Sequence, residues 1–547
     1  MSAVLLNRPE YYDTFDSFLD VAGEKYGTKP AVTWFGKDGS EYTKNFLEFV
    51  SDVRKVQKAL ELVGFQGKNI AIAGENCYEW IIAYFAIAAS GGCVVCIDAE
   101  QPDTGIRQML EQSEVKGIFA SQSVIRVCDD YISRCAGGSE VILLTGTDNQ
   151  HRTFETFMAE GAAAGEPAKV MISPEQTASL VFTSGTTSLS KMVMLSHRAI
   201  LHNASNSIAH VDAKQRVFSS LPFYHAYGMT CAVIATILRG AHLLINGNLR
   251  TVMRDLHLSK AESMLTVPLM LETIHNGLWR EAKSKGQEKD LEKVFKIQKM
   301  LRMIGKKTPI KPLEAVREKC MGTLKVIICG GAHLNREVAE EFDLMGVTIL
   351  QGYGITECSP LVAVNCNKSY RLDSVGYVLP ECEVSIIEGE ICVRGIMVMN
   401  GYYKEPEQTE EAMKDGWFCT GDLGYIDKDG FLYITGRKKN LIVLNNGKKI
   451  SPEKMEDMIK KIDIVQDVMV YGAKNGSRTD DVRIAASIYP DPALTGKMQQ
   501  FEILSHLQKE IDAINATLPL YQQIQMINIR EQEFEKTATK KIKRYTV

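Results

Sequence analysis

The stretch Asn69–Ile97, NIAIAGENCYEWIIAYFAIAASGGCVVCI, determines the fold class that the sequence predicts. It places an apolar strand pattern on each side of an apolar helical segment, and Ser90-Gly91-Gly92 separates the helix from the second strand. The alternation continues toward residue 120. Strands and helices that alternate in this way form βαβ units around a parallel sheet. The predicted elements are strands at Asn69–Ala73, Cys93–Ile97 and Gly117–Ala120, and helices at Tyr78–Ala89 and Thr104–Gln112.

The same alternation returns between Leu180 and Met345, which predicts a second set of parallel-sheet units. The Lys- and Glu-rich stretch Leu269–Met303 predicts a solvated helical insertion. Short strands with glycine-rich turns after Tyr353 predict a small β subdomain, and the remaining C-terminal part has the pattern of a compact α+β unit. The strands predicted in these regions are Arg216–Leu221, Ala241–Ile245, Ser263–Val267, Leu324–Cys329, Val375–Gly376, Val384–Ile387 and Glu390–Arg394.

Composition and charge exclude several classes of protein. The 547 residues carry 63 basic and 67 acidic side chains, a net charge of −4, so no global basic field is available to bind nucleic acid. Trp80–Ile97 is uncharged, but its glycines interrupt it, and no transmembrane segment is predicted. Thirteen scattered cysteines and the absence of a secretion signal predict a cytoplasmic protein. The single CxxC, Cys93–Cys96, lies in a strand pattern and is interpreted as core packing.

A cluster of hydroxyl side chains interrupts a predicted strand hairpin at Val181–His197, VFTSGTTSLSKMVMLSH. Backbone N–H groups and hydroxyls in a glycine-containing turn form an anion cradle, to which Lys191 adds a mobile positive charge. The loop is not a Walker motif, because GxxxxGK[ST] is absent. A loop of this composition is often only a surface turn, so other motifs must support a phosphate site. The candidate phosphate-binding residues are Thr183, Ser184, Gly185, Thr186, Thr187, Ser188 and Lys191.

The loop resembles the phosphate-binding loop of adenylate-forming (AMP-binding) enzymes, and further motifs of that superfamily follow in the same order along nearly the whole chain. Such ordered agreement is highly specific, although each motif alone would indicate only a turn or a solvated patch. The matching segments are LPFYHAYG at 221–228, GGA at 330–332, QGYGITE at 351–357, WFCTGD at 417–422, GRKKNLI at 436–442, GKKISP at 447–452 and TATKKIKR at 537–544.

The resemblance implies a reaction in which a carboxylate attacks the α-phosphate of ATP and pyrophosphate leaves. It implies that Thr356 donates to the α-phosphate, that Glu357 with Thr183 holds Mg²⁺, and that Tyr353 stacks on adenine. The carboxylate of Asp422 would accept from both ribose hydroxyls, and the guanidinium of Arg437 would reach the ribose or a phosphate. The resemblance further implies nucleotide-binding segments at Gly330, Gly331, Ala332, Gly352 and Gly354.

The terminal motif implies a catalytic lysine that bridges the acyl carboxylate and the α-phosphate. Alignment on Lys-Ile-x-Arg places this role at Lys541, with Lys540, which stands at the usual glycine, as a rival. The phosphate loop also departs from the superfamily, because Ser188, Ser190 and Met192 replace the usual Gly, Pro and Gly. These departures put the mobility of the loop, its affinity for ATP and the reaction rate in doubt.

The implied acid is apolar. The segment 223–228 has no carboxylate to pair with a substrate amine, and an apolar slot beside His225 and Gly228 fits a fatty acid better. The helical insertion resembles that of long-chain fatty acyl-CoA synthetases, so a medium- or long-chain fatty acid is predicted. Such substrates would also permit weak peripheral contact with a membrane.

The hinge motif implies a mobile C-terminal lid that pivots at Lys439 between adenylation and thioester formation. The predicted domains are therefore an N-terminal adenylation domain, 1–436, and a lid domain, 437–547. The predicted enzyme is a fatty acid–CoA ligase that uses ATP, Mg²⁺ and CoA. The alternatives are a ligase that loads an acyl carrier protein and a degenerate nucleotide-binding protein without ligase activity.

Overall fold

The computed structural model describes residues 5–135, 138–183, 191–306, 308–444, 448–474, 482–536 and 542–544. Residues 184–188, 190, 540 and 541, which carry parts of the predicted phosphate loop and terminal motif, lie outside the described residues.

The strands are numbered along the described chain. They are β1 (Pro30–Phe35), β2 (Glu41–Asn45), β3 (Asn69–Ala73), β4 (Cys93–Ile97), β5 (Gly117–Ala120), β6 (Glu140–Leu143), β7 (Arg152–Thr153), β8 (Thr177–Phe182), β9 (Met192–Ser196), β10 (Arg216–Ser219), β11 (His242–Ile245), β12 (Ser263–Thr266), β13 (Val326–Cys329), β14 (Thr348–Gly354), β15 (Leu361–Val364), β16 (Tyr377–Val378), β17 (Cys382–Ile387), β18 (Glu390–Gly395), β19 (Gly401–Tyr402), β20 (Met413–Lys414), β21 (Trp417–Ile426), β22 (Leu432–Arg437), β23 (Ile442–Val443), β24 (Lys449–Ile450), β25 (Val465–Lys474), β26 (Val482–Pro490) and β27 (Met526–Ile529).

The α-helices of the described chain are numbered in the same way. They are α1 (Phe15–Tyr26), α2 (Phe46–Leu62), α3 (Tyr78–Ala89), α4 (Asp103–Ser113), α5 (Ile125–Ile132), α6 (Phe154–Ala164), α7 (His197–Ser207), α8 (Ala235–Leu238), α9 (Val252–Ser259), α10 (Pro268–Ser284), α11 (Glu288–Met303), α12 (Lys311–Met321), α13 (Arg336–Leu344), α14 (Pro406–Ala412), α15 (Glu453–Ile459), α16 (Pro492–Thr495) and α17 (Gln500–Asn515). Short 3₁₀ turns occur at Leu249–Thr251, Thr356–Cys358, Lys438–Asn440 and Leu520–Gln522, and a π-helix at Tyr227–Ile234.

Two large sheets form the N-terminal part. One has the order β16-β15-β14-β13-β12-β10-β11-β1-β2, and the other the order β19-β9-β8-β4-β3-β5-β6-β7. The central strands of both are parallel, whereas β2, β15 and β16 in the first and β9 and β19 in the second are antiparallel. The parallel-sheet α/β fold predicted from the sequence is confirmed.

The helix α3 explains why an apolar segment in the opening stretch is not a membrane span. Every residue of α3 except Glu79 is buried, as expected for a helix covered on all sides by protein. The next strand, β4, pairs with β3 and β8, so Cys93 and Cys96 belong to the sheet. Within the described chain, no helix has the length and apolar character needed to cross a bilayer.

After β16 the chain forms a five-stranded antiparallel sheet (β17, β18, β20, β21 and β22), the predicted β subdomain, while β19 joins the second large sheet. The C-terminal part has its own three-stranded sheet (β25, β26 and β27) and a separate apolar core between Ile442 and Ile529. This small α+β unit agrees with the predicted fold class. The domain boundary at residues 436 and 437 stays a prediction.

Several predicted elements differ from the observed ones by one or two residues at an end, and two differ more. The strand predicted at Val375–Gly376 does not form; Tyr377–Val378 pairs with β15 in the first large sheet instead. Gly376 has φ +89°, and a Cβ there would lie 2.1 Å from the Val364 carbonyl carbon, so the chain turns tightly at this point. The helical stretch Leu269–Met303 is two helices, α10 and α11, separated by a turn in which Gly286 has φ +67°.

Candidate active site

The antiparallel pair β21–β22 brings Asp422 opposite Arg437. Arg437 Nε donates to Asp422 Oδ1 at 2.5 Å, and the hydroxyl of Tyr353, from β14, donates to Asp422 Oδ2 at 2.7 Å. Asp422 is only 6% exposed, and Tyr353 is also buried. Burial, together with the Asp422 charge, raises the pKa of Tyr353, so the phenol stays protonated as the donor. The structure therefore brings together three residues that the motifs place far apart in the sequence.

A second cluster contains Glu357, Tyr402 and Lys191. Glu357 lies in the 3₁₀ turn Thr356–Cys358 and is buried. The Tyr402 hydroxyl donates to Glu357 Oε1 at 2.8 Å, and Lys191 Nζ lies 4.3 Å from the centre of the Tyr402 ring. Burial raises the pKa of Glu357, while the hydrogen bond from Tyr402 opposes that rise. One phenol therefore contacts both the predicted metal-binding carboxylate and the predicted phosphate-binding lysine.

Tyr402 was not predicted from the sequence. It reaches the site because the two-residue strand β19 pairs with β9, with Gly401 opposite Met194 and Tyr402 opposite Val193. The same β9 follows Lys191, and the Thr183 N–H donates to the Lys191 carbonyl at 2.9 Å at the base of the loop. Tyr402 thus reaches the site through a long-range strand pairing. Neither the local sequence pattern nor the quoted motifs indicate that pairing.

The cations of the site lie close enough to influence one another. Burial lowers the pKa of Lys439, and the positive charges of Arg437 and Lys191 lower it further. These three cations and the buried carboxylates of Asp422 and Glu357 form one region of mixed charge with a net positive balance. Such a region fits a polyphosphate, because it offers donors and positive charge in a partly buried setting.

The donor set also fits Mg²⁺ that arrives with a nucleotide. Mg²⁺ usually takes one or two protein carboxylates, substrate phosphate oxygens and several waters. Glu357 Oε1 accepts from Tyr402, and a carboxylate has further lone pairs to offer. Thr183 is half-buried at the end of the loop. Within the described ranges, no group of three or more His, Cys, Asp or Glu residues forms a complete metal cage of its own.

The predicted nucleotide-binding glycines lie where backbones approach closely. Gly330 follows β13 and faces the Tyr227 ring and the Gly352 carbonyl, where an added Cβ would lie 3.3 and 3.5 Å away. A Cβ at Gly354 would lie 2.4 Å from the Pro360 carbonyl oxygen. Gly331 has φ +89° and, like Ala332, is exposed. Gly352 and Gly354 flank the buried Tyr353, and Gly330 lies against Gly352.

His225 and Gly228 have different surroundings. A small cavity of about 10 Å³ is lined by His225 and by mostly apolar side chains, among them Tyr84, Phe223 and Met229. Gly228 belongs to the π-helix, where a Cβ would lie 2.1 Å from the Pro222 carbonyl oxygen. The structure therefore gives Gly228 a packing role and places His225 on the cavity wall.

The predicted hinge, Lys439, lies in the 3₁₀ turn directly after β22. Its neighbour Lys438 contacts Glu390 at 2.7 Å, and Asn440 donates to Glu453 of α15 at 2.8 Å. In the terminal motif, Arg544 Nη2 donates to both carboxylate oxygens of Glu456, Oε1 at 2.8 Å and Oε2 at 2.6 Å. The motif is therefore anchored on the C-terminal unit, although the place of Lys541 lies outside the described residues.

Comparisons with known proteins show which family this chain matches. Residues 19–403 match the AMP-binding enzyme family and residues 439–547 match the AMP-binding enzyme C-terminal domain. A long-chain-fatty-acid–CoA ligase of Salmonella typhimurium is 26% identical over 89% of this chain and 88% of its own length. The long chain acyl-CoA synthetase 1 of Arabidopsis thaliana is 28% identical over 83% of this chain and 75% of its own.

Solved structures share the fold of this chain at lower sequence identity than these relatives. The anthranilate CoA ligase AuaEII in complex with anthranoyl-AMP has a TM-score of 0.79 at 17% identity, over 98% of this chain and 97% of that one. The o-succinylbenzoate CoA synthetase of Bacillus subtilis, with its acyl-adenylate intermediate, has a TM-score of 0.73 at 20% identity, over 97% of both chains. Since the family match alone spans most of the sequence, this chain belongs to the AMP-binding enzyme family, the superfamily of adenylate-forming enzymes.

Proposed function

We propose that this protein is an ATP-dependent fatty acid–CoA ligase. It would join a medium- or long-chain fatty acid to AMP as an acyl-adenylate, release pyrophosphate, and then form a thioester with CoA and release AMP. The observation that carries the proposal is the Glu357–Tyr402–Lys191 cluster beside the Tyr353–Asp422–Arg437 cluster, within a chain of the AMP-binding enzyme family.

In the first half-reaction, the side chains would position charge around the phosphates. Lys191 and the loop 183–188 would hold the β- and γ-phosphates, and Thr356 would donate to the α-phosphate. Glu357 and Thr183 would hold Mg²⁺, which when bound neutralises phosphate charge. Lys541 would bridge the acyl carboxylate and the α-phosphate as the new bond forms. Each group acts by position and charge, which is the main protein contribution to transfer at phosphorus.

The ribose would bind at Asp422. Its two oxygens accept from Tyr353 and Arg437 in the described structure, so a ribose hydroxyl would replace or share one of these contacts. Arg437 has the more exposed side chain, 40% against 8% for Asp422. Arg437 is therefore the partner that would turn toward the nucleotide. The several N–H donors of its guanidinium group suit ribose or phosphate oxygens.

The acid class rests on the relatives and on the cavity. Relatives aligned over most of their length are named as long-chain fatty acid–CoA ligases, and the cavity beside His225 has mostly apolar walls. At about 10 Å³ it is far smaller than the roughly 300–1,000 Å³ of typical ligand pockets. A long acyl chain would therefore need the cavity to open further, whereas its carboxyl end would lie near His225.

Turnover in the presence of a panel of acids tests the proposal. Pyrophosphate release would be measured with ATP, Mg²⁺ and saturated fatty acids of increasing length, with anthranilate as an aromatic control, each with and without CoA. We expect CoA-dependent turnover that peaks at a medium or long chain. A preference for the aromatic acid would contradict the acid class. Adenylate that CoA does not discharge would favour a carrier-protein acceptor, and no release with any acid would favour a protein without ligase activity.

A further inference from the structure

Two cysteines on neighbouring strands of the β subdomain form a close pair. Cys392 on β18 lies directly opposite Cys419 on β21 in the antiparallel register, and their Sγ atoms are 3.8 Å apart. Cys419 lies on the same strand as Asp422, a few residues before it. None of the thirteen cysteines, all of them in the described ranges, forms a disulfide, and neither Cys392 nor Cys419 has a place in the proposed reaction.

The backbone geometry of this pair permits a disulfide. Residues directly opposite in an antiparallel pair have Cα atoms about 4.5–5.5 Å apart. That separation falls inside the range of about 4.4–6.8 Å found in disulfides. Only the sulfurs must approach, from 3.8 Å to about 2.05 Å, and rotation of the side chains supplies part of this movement.

The two thiols differ in access to solvent. Cys419 is half-buried, whereas Cys392 is 1% exposed. Burial, with the neighbouring Cys419 and Glu390, raises the pKa of Cys392 to about 12, so this sulfur is a protonated thiol at rest. An oxidant from solvent would therefore meet Cys419 first. Cys392 is the resolving thiol by its position opposite Cys419, and it must lose its proton as it attacks.

We propose that Cys392 and Cys419 form a peroxide-sensitive site that closes as a cross-strand disulfide. Hydrogen peroxide oxidises the Cys419 thiol to a sulfenic acid and releases one water. The Cys392 sulfur then attacks the Cys419 sulfur, an S–S bond forms, and the hydroxyl of the sulfenic acid leaves as a second water with the Cys392 proton. Two thiols and one peroxide thus give one disulfide and two waters.

The pair is connected to the proposed nucleotide site through Glu390. Glu390 Oε1 accepts from the Gly421 N–H at 2.9 Å, and Glu390 Oε2 contacts Lys438 Nζ at 2.7 Å. Gly421 adjoins Asp422, and Lys438 adjoins the predicted hinge. Closing the disulfide moves β18 against β21 at this point, and we expect it to weaken ATP binding severalfold. This consequence rests on the proposed function, whereas the disulfide itself does not.

The test treats the full-length protein with hydrogen peroxide, blocks the remaining thiols and maps disulfides by peptide mass spectrometry. We expect a Cys392–Cys419 linked peptide and a loss of two hydrogens in mass, reversed by dithiothreitol. Cys392→Ser and Cys419→Ser should form no such link, while Cys128→Ser, a buried cysteine on α5, should form it normally. If both cysteines remain open to alkylation after peroxide, the proposal is overturned.

A second measurement separates formation of the disulfide from its expected effect on ATP affinity. ATP binding would be measured by calorimetry on reduced, oxidised and re-reduced protein, with Cys392→Ser treated in parallel. A severalfold weaker affinity that returns on reduction and is absent in the variant supports the coupling. A mapped disulfide with unchanged ATP affinity would overturn the coupling to the nucleotide site. Failure of ligase activity would leave the disulfide map unaffected, so the two failures are distinguishable.

Discussion

The hydroxyl of Tyr402 donates a 2.8 Å hydrogen bond to Glu357, and the face of the same ring lies under Lys191. A buried carboxylate is stabilised in its charged form by such a donor, and an ammonium is attracted to the face of an aromatic ring. Tyr402 therefore sets the relative position of two groups that carry opposite charge. This arrangement makes Tyr402 a positioning residue for the proposed phosphate and metal sites.

Tyr402→Phe should lower the activity of the enzyme. It should also move the acidic limb of the pH–activity profile to higher pH. The variant keeps the ring under Lys191 but loses the donor to Glu357, whose pKa is already raised by burial. Because the lost hydrogen bond favoured the carboxylate, the pKa rises further and a higher pH is needed to ionise Glu357. A hydrogen bond to a charged group contributes about 1.5–3 kcal/mol, so kcat/KM should fall roughly 10- to 100-fold.

The pH profile of pyrophosphate release checks this effect. Tyr403→Phe is the matched control, since Tyr403 neighbours Tyr402 and its ring contacts Lys404 rather than Lys191. It should keep the profile of the unmodified protein. An acidic limb that stays in place in Tyr402→Phe, despite lower activity, would argue against a role through Glu357.

Asp422→Ala should weaken ATP binding by about tenfold or more, because charge-assisted hydrogen bonds are the stronger class. The variant also leaves the Tyr353 hydroxyl and Arg437 without their shared acceptor. Calorimetry with ATP measures the affinity, and thermal unfolding measures any loss of fold. Asp427→Ala provides the control, because Asp427 pairs with Arg371 in another part of the β subdomain. An unchanged ATP affinity in Asp422→Ala would refute the ribose role.

The fold could be predicted from local patterns where burial is complete. β3, β4 and β5 and the helix α3 begin and end at the predicted residues, because every strand or helix there is apolar and glycine or polar residues mark its ends. The turn at Gly376 was misjudged, because it is dictated by the close approach of Val364, which follows from the pairing of β15 with β16. Local sequence does not contain such contacts.

The candidate site could be predicted only in part for the same reason. The superfamily motifs indicated Asp422, Arg437 and Glu357 separately, but they did not show that Tyr353 and Arg437 share Asp422. Tyr402 was missed because its place depends on β19 joining β9. Gly228 stays a predicted substrate contact, and the structure adds that a Cβ there would lie 2.1 Å from the Pro222 carbonyl oxygen, so the position has no room for a side chain.

Lys541→Ala should abolish adenylate formation and leave thioester formation from a supplied acyl-adenylate largely intact. The terminal lysine is assigned to the first half-reaction alone, since it would balance charge between the carboxylate and the α-phosphate. Lys540→Ala is the matched control and tests the rival alignment. Each half-reaction would be followed separately, by pyrophosphate release and by thioester formation. Equal loss of both half-reactions in Lys541→Ala would contradict the assignment. Loss of adenylation in Lys540→Ala alone would assign the catalytic role to Lys540.

The stability of the N-terminal part should fall as the pH falls from about 6.5 toward 4, in part because of His197. His197 is fully buried at the start of α7, its Nδ1 accepts from the Phe15 N–H at 3.4 Å, and burial lowers its pKa to about 4. Between its folded pKa and the unfolded value of about 6.5, only the unfolded chain binds the proton. Stability therefore rises with pH in this window and is lost on acidification.

His197→Asn should flatten this part of the pH dependence. Asn keeps an acceptor for the Phe15 N–H but does not titrate, so the variant should lose less stability between pH values of about 6.5 and 4 than the unmodified protein does. Urea unfolding at several pH values measures the slope. His257→Asn, an exposed histidine on α9, should leave the slope unchanged. A slope that is equally steep in His197→Asn would show that other groups cause the acid sensitivity.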